Sequence, residues 1–432
     1  MKNIYIKKCD LEFVREPLRA PFGFKGRYLT ELWQTVAKVE SDNFTAVCPC
    51  VESVLWSDAA VFGDNPPAVS SAMMMMVTGR ALKLLEGETF TTPETAIQGI
   101  LPELLQYANA VCGRPVAETF VLNSLVGVDF ALWMLYAKEN GLTSFDDLIP
   151  ADVRPAMNHR HTALAQIPLL SYAVEEAEIK RQLDSGISLL KIKIGKSVPG
   201  VPAGEEDMKA MLAWDIARLE QIHTMASAYE TPHTKDGKIL YYLDANGRYD
   251  SRARLESLLE AADKMGALPR IALLEEPFAP ENHTYVGDLP VCLNADESAH
   301  SLADVRERLS LGYKAVALKP IAKTLSVSFR MVQAIHEAGG QSLCADLTVN
   351  PLLAEWNKQF ASRIAPLAGM KVGCVEINGD QNYSRWEELK TLLPPGLNPA
   401  PLQNGVFPLD EQFFAGSGGL FEENGYFHCF AK

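Results

Sequence analysis

The sequence predicts an α/β protein built around a closed parallel barrel, and three observations carry that reading. From about Ala163 onward short apolar runs recur, each followed by a polar turn and a stretch of helical periodicity. Alternating strand and helix means parallel pairing, and about eight repeats point to closure rather than an open sheet. Many of the runs end, on their C-terminal side, in an ionisable residue. A doubly wound open sheet is the competing arrangement, but no GxGxxG follows any strand.

Taken in order, residues 1–8 read as a short strand without the apolar stretch of a signal peptide. Residues 4–47 hold two strand-like runs, one of them 32–39 with partial alternation. Between them, 17–28 is rich in Pro, Gly, aromatic and basic residues, a loop composition of the kind that touches ligand. Phe22 and Tyr28 are its candidate substrate contacts, and 50–64, with Trp56 and Phe62, is a second candidate specificity segment. Residues 68–141 are helical in pattern, and the four methionines Met73 to Met76 read as adaptable core filler. The barrel runs lie at 167–170, 189–194, 239–243, 271–274, 291–293, 315–318, 342–344 and 373–375. Residues 401–432 break the alternation, and their aromatic, Gly-rich composition predicts a covering segment.

A chain of 432 residues suggests about two or three domains. Hydrophobic residues at 47% and charged residues at 22% exclude disordered and low-complexity classes. The net charge of -14 argues against nucleic acid and anionic membrane surfaces as partners. The apolar windows read as too short to span a membrane. Eight scattered cysteines give neither a disulfide framework nor a CxxC metal pattern, so a cytoplasmic protein is expected.

The strand-end charges separate this chain from an ordinary barrel. Lys191 and Lys193 close one run, Asp244 the next, and Glu275 with Glu276 the one after. Asp296 with Glu297, Lys319, Asp346 and Glu376 follow in order. C-terminal strand ends of a parallel barrel converge on one mouth, where active sites lie. A single such Asp is as readily a helix cap, and a single Lys an edge residue whose head reaches water. Carboxylates on consecutive strands with lysines on the flanking ones need pairing or a metal to be tolerated there.

These residues resemble the enolase superfamily, in particular its mandelate racemase and muconate lactonizing enzyme branch, closest to the two-lysine muconate lactonizing enzyme-like subgroup. The matching motifs are Lys191-Ile192-Lys193, Leu243-Asp244-Ala245-Asn246-Gly247, Glu275-Glu276-Pro277, Ala295-Asp296-Glu297-Ser298 and Lys319-Pro320, with Asp129-Phe130-Ala131-Leu132-Trp133 resembling the helix that closes the capping domain. The resemblance implies a modified TIM barrel, (β/α)7β, over residues 161–394, with an α+β capping domain from 1–160 completed by 395–432. It implies Asp244, Glu275 and Asp296 as ligands of one Mg²⁺, with Lys193 and Lys319 as acid/base groups on opposite sides of the substrate. Lys191 would neutralise a substrate carboxylate and Glu297 would partner Lys319. Asn246, Asp346, Glu376, Phe22 and Tyr28 complete the set as supporting or substrate-binding residues, Asp346 being equally readable as a cap. A homo-oligomer is also implied.

Three departures stand out. About fifty residues separate Lys193 from Asp244, with an insertion around 196–238. Leu325-Ser326 stand where a glycine pair is common, and Glu376 with Asn378 stand where dipeptide epimerases carry Asp-x-Asp.

Hard oxygen ligands suit Mg²⁺ rather than zinc. Such a metal holds a substrate carboxylate and stabilises the enediolate formed when its α-proton leaves. The base must be neutral, and neighbouring lysines and a cation are expected to lower one another's proton affinity. Two lysines across a planar intermediate permit racemisation or epimerisation of an amino-acid derivative or dipeptide. A leaving group β to the carboxylate would instead make the site a lyase, such as a cycloisomerase, an acid-sugar dehydratase or an o-succinylbenzoate synthase-like enzyme. A non-catalytic metal-binding barrel is the reading from another class, and a Schiff-base aldolase a weaker rival.

Overall fold

The computed structural model describes residues 2–24 and 27–427, without the side chains of 22–24 and 27. Lys25, Gly26 and Cys429 lie outside the described residues, as does the side chain of Phe22.

The N-terminal part is an antiparallel sheet of Lys8–Phe24, Arg27–Glu40 and Thr45–Glu52, backed by helices Pro67–Leu85, Pro93–Cys112 and Glu118–Asn140. Of residues 17–28, expected as a loop, the described ones instead belong to the paired strands Lys8–Phe24 and Arg27–Glu40, with Phe22 opposite Leu29 and Gly23 opposite Tyr28. Cross-strand partners supply the hydrogen bonds that a loop would lack. Pro17 and Pro21 fall at the register shift between Pro17 and Phe22, where missing N–H donors do least harm to the ladder.

Among the described residues, two helices, Pro67–Leu85 and Glu118–Asn140, prove long and apolar enough to cross a membrane, against the expectation from apolar windows. The second is buried along the whole of its most apolar stretch and packs against both other helices and the sheet, so it is a core helix. Helical rotation also splits the methionine run: Met74 is in the core, while Met76 is exposed.

From Ala163 the chain alternates strand and helix. The strands Ala163–Gln166, Leu169–Leu170, Leu189–Lys193, Leu240–Asp244, Ile271–Glu275, Leu293–Ala295, Ala315–Leu318, Gln341–Cys344 and Gly373–Val375 pair in parallel in chain order. Ala163–Gln166 pairs with the last of them and Leu169–Leu170 with Leu189–Lys193. These two pieces are one strand interrupted at Ile167-Pro168, so the sheet curls back on itself as an α/β barrel. Each crossover holds a helix except that between Glu275 and Leu293. Val406–Pro408 adds antiparallel to Ala163–Gln166. The end of the chain reaches both parts of the molecule: Trp356 donates to the Gly418 carbonyl at 2.7 Å, and Asn424 to the Val47 carbonyl at 2.9 Å.

Apolar side chains form two cores. One fills the barrel, with Leu189, Leu240, Tyr242, Leu273 and Leu343. The other lies outside it and runs on under the N-terminal helices, with Leu190, Ile192, Leu243 and Phe130. Strand alternation divides the residues between them.

Gly405, with φ +75°, places its Cα where an added Cβ would meet the Gly186 carbonyl, whereas Gly200, φ +82°, has open space. Gly200→Ala should cost only the left-handed backbone penalty, about 1–2 kcal/mol. Gly405→Ala should lower the thermal midpoint clearly further. Equal losses in thermal unfolding would dismiss this backbone contact as a constraint.

Candidate active site

Alternation explains why two lysines enter the barrel together. Leu189, Lys191 and Lys193 share one face of their strand, while Leu190 and Ile192 pack in the outer core. The register then builds a row at the strand ends: Lys193 pairs with Asp244, Asp244 with Glu275, and Glu275 with Asn294. Asp296 follows its strand, Leu293–Ala295, and Lys319 follows the next, Ala315–Leu318. Lysines therefore flank a row of carboxylates from both ends.

The side chains are buried and paired. Lys191 Nζ lies 3.2 Å from Asp244, 3.0 Å from Glu275 and 3.5 Å from Glu376. It also sits 4.8 Å above the Tyr242 ring. Lys193 Nζ donates to Asp244 at 2.6 Å and to the Asn246 amide oxygen. Lys319 Nζ donates to Asp296 at 2.5 Å. Glu275 Oε2 accepts from the Tyr242 hydroxyl and, at 2.7 Å, from Asn294.

The structure thus brings together Lys191, Lys193, Asp244, Asn246, Glu275, Asp296, Glu297, Lys319 and Glu376. Glu297 accepts from Asn246 at 2.7 Å rather than from Lys319, whose ammonium is taken by Asp296. Asp346 accepts from the backbone amides of Leu347 at 2.7 Å and Asn378 at 2.5 Å, and its own amide donates to Glu376 at 3.3 Å. It ties the last two strand ends together. Tyr28 is 69% exposed on strand Arg27–Glu40, away from the buried cluster, while Phe62 is buried in the outer core.

Other parts of the cluster had only a general place in the sequence reading, or none. Trp56 lies over two ammonium groups, 4.8 Å from Lys319 and 5.9 Å from Lys323. Lys323 is fully buried and donates to the Ala299 carbonyl at 2.6 Å. Glu276, at φ +40°, turns its carboxylate back to accept from Asp296 N at 2.8 Å and from Ser298 N and Oγ at 3.1 and 3.0 Å. The insertion after Lys193 forms helix Glu205–Ala226. From it Asp215 accepts from Gly195 N at 2.8 Å and the Tyr249 hydroxyl at 2.8 Å, joining the loops that follow Lys193 and Asp244.

Proton affinities follow from crowding. Burial works against charge at Asp296, but the ammonium groups of Lys319, Lys323 and Lys191 outweigh it and bring its pKa down to about 2. Burial raises Glu275 to about 7 in spite of Lys191. It raises Glu276 to about 8 and Asp346 to about 7, in each case helped by a neighbouring carboxylate. Lys191 and Lys319 behave opposite to expectation: burial lowers each, yet the surrounding carboxylates raise both above the ordinary lysine value. Lys323, with no carboxylate bonded to it, is lowered by burial to about 8.

Seven carboxyl groups (Asp244, Glu275, Glu276, Asp296, Glu297, Asp346 and Glu376) share this region with four lysines. Asp296 Oδ1, Glu276 Oε1 and Glu297 Oε2 are buried without a hydrogen-bond donor. Hard oxygens in excess over ammonium groups fit a divalent cation such as Mg²⁺. As the side chains stand, no three His, Cys, Asp or Glu among the described residues converge as ligands, because the lysines lie between the carboxylates.

The architecture matches known structures along nearly its whole length. A mandelate racemase/muconate lactonizing protein from Herpetosiphon aurantiacus superimposes with a TM-score of 0.65 at 18% identity, covering 96% of this chain and 97% of that one. The chain has the enolase-superfamily fold. A dipeptide epimerase from Enterococcus faecalis V583, complexed with Mg and L-Leu-L-Tyr, gives 0.64 at 13% identity, covering 96% and 99%. The L-Ala-D/L-Glu epimerase of Bacillus subtilis gives 0.63 at 16%, covering 94% and 96%. No protein-family model matches the chain, and no curated protein matches it.

Two outcomes are expected from this geometry. Mg²⁺ at a hundred times its dissociation constant should stabilise the folded protein by about 2.7 kcal/mol, and Asp296→Asn should remove most of that gain. A thermal midpoint indifferent to Mg²⁺ would refute the cation fit. Burial pushes the Asp215 carboxyl up from 3.8 to about 7, so its stabilising contribution is full below 3.8 and lost as pH rises through about 7. Asp215→Asn lacks that titration, and its stability deficit against wild type should narrow across this window; a constant deficit in denaturant titrations would contradict the assignment.

Proposed function

We propose that this chain is a divalent-metal-dependent enzyme that removes the α-proton of a carboxylate substrate and returns it, a racemase or epimerase. The carrying observation is the row at the strand ends: three carboxylates on consecutive strands, with Lys193 and Lys319 at its two ends. Asp244, Glu275 and Asp296 would hold the cation. When bound, that cation would supply the positive charge that anchors a substrate carboxylate, acidifies its α-carbon and loosens the lysines' hold on their protons.

Lys193 is part-exposed where Lys191 and Lys319 are buried, and it would accept the α-proton at Nζ. Lys319, kept charged by Asp296 and roofed by Trp56, would deliver a proton from the other end. Lys191, deepest in the row, would face the substrate carboxylate. Trp56 and the Glu276-braced segment 296–298 would limit water at Lys319 while substrate is bound, and between turnovers both lysines would exchange with solvent, so that solvent hydrogen reaches the α-carbon.

An amino-acid derivative or dipeptide is the favoured substrate class, supported by the likeness to a dipeptide epimerase and to an L-Ala-D/L-Glu epimerase. The seven described cysteines are all free, which supports a cytoplasmic setting.

Incubation with a carboxylate library in D₂O and Mg²⁺ should wash deuterium into the α-position without loss of substrate skeleton. Release of a leaving group instead would assign the site to a lyase, and no exchange across the library would favour a non-catalytic barrel. Lys193→Ala and Lys319→Ala should each reduce exchange by at least about a hundredfold while Mg²⁺ stabilisation persists. Turnover retained in both would sink the two-lysine mechanism.

A further inference from the structure

We propose that Asp129 is a positioning residue that fixes, from the N-terminal helix Glu118–Asn140, the turn carrying Lys319 and Lys323. The inference rests on the reading that Lys319 moves a proton, but its structural half can be tested separately.

Asp129 lies mid-helix in an otherwise apolar environment and is fully buried. A carboxylate there is costly unless it is bonded. Its Oδ2 accepts from Leu325 N at 2.8 Å and Ser326 N at 3.1 Å, and its Oδ1 from the Ser326 hydroxyl. Trp133, one turn further on the same helix face, donates to Ser326 Oγ at 3.0 Å. The amides of Leu325 and Ser326 open helix Leu325–Glu337 and have no partner within it. A side chain remote in sequence therefore fills the role of a cap.

What this grip holds is a strained junction. Thr324, immediately before it, has φ +73°, a left-handed value that a β-branched residue adopts only when its surroundings impose it. Its hydroxyl accepts from Val327 N at 3.2 Å. On its other side is the single turn Pro320–Lys323, whose last two amides, of Ala322 and Lys323, both donate to the Lys319 carbonyl at 2.8 Å. Lys319 is thus fixed behind by strand Ala315–Leu318 and ahead by a turn that ends in the Asp129 clamp. Ser326, standing where a glycine pair is common in the resembling family, adds the hydroxyl that both Asp129 and Trp133 use.

Asp129→Asn keeps the size but turns an amide group toward backbone donors. It should lower kcat for α-proton exchange by between about tenfold and a hundredfold, with KM and Mg²⁺ stabilisation little changed. Ser326→Ala, which keeps the backbone amides, should shift kcat the same way by a smaller factor. Hydrogen–deuterium exchange should rise across 319–327 in Asp129→Asn. A folded Asp129→Asn with wild-type kcat overturns the proposal, as does a parallel fall in kcat, affinity and thermal midpoint. Should the wild type catalyse no exchange, the functional reading fails instead; faster amide exchange reaching Lys319 would then still uphold the clamp, and exchange confined to 325–326 would overturn it.

Discussion

Everything at the mouth of this barrel depends on how Lys191 is compensated. Its ammonium is almost wholly buried and touches three carboxylates at the ends of three different strands. Each ion alone would cost several kcal/mol to remove from water, and together they are tolerated only through mutual contact and added hydrogen bonds. Tyr242 and Asn294 complete Glu275, Asn246 joins Lys193 to Glu297, and Glu276 braces the Asp296 segment. The strands, their register and the covering N-terminal helices can be understood as the scaffold that keeps these charges close and dry.

Much of this was legible in the chain, for a physical reason. A residue at a parallel strand's C-terminal end has its environment set by topology, so Lys193, Asp244, Glu275, Asp296 and Lys319 could be placed together without knowing any contact. Lys191 followed from period-two alternation, which sends it to the same face as Lys193. The α/β barrel was readable for the same reason: apolar runs at 189–194 or 315–318 are short, buried on both faces and separated by amphipathic segments.

The contacts that escaped depend on side chains or segments meeting from afar. Lys323 lies in a single helical turn rather than a strand, and its partner is a backbone carbonyl, which leaves no mark in composition. Trp56 reaches Lys319 from a four-residue helix at the edge of the N-terminal part. Glu276 points back only because its own backbone adopts φ +40°. Residues 17–28 carry the composition of a loop, yet 17–24 and 27–28 fall in two strands that pair with each other. Helix Glu118–Asn140 was underestimated because its polar residues, Asn123, Ser124 and Asp129 among them, break the apolar windows; the fold buries them in specific bonds to Ser53, Phe120 and Ser326.

The proton affinities join fold and chemistry. The pairing that lets Lys191 and Lys319 be buried also holds them charged, which suits a proton donor and opposes a base. A lysine can serve as base here only where its carboxylate partners are engaged elsewhere or where it is less deeply committed. Lys193 is the more open, and its partners Asp244 and Asn246 are shared with Lys191 and Glu297. Asymmetry between the two ends of the row is therefore built into the strands: the Lys319 end is sealed under Trp56 and clamped from behind, while the Lys193 end is left accessible. Two chemically identical side chains are in this way given unequal environments, the asymmetry that the proposed proton transfer calls for.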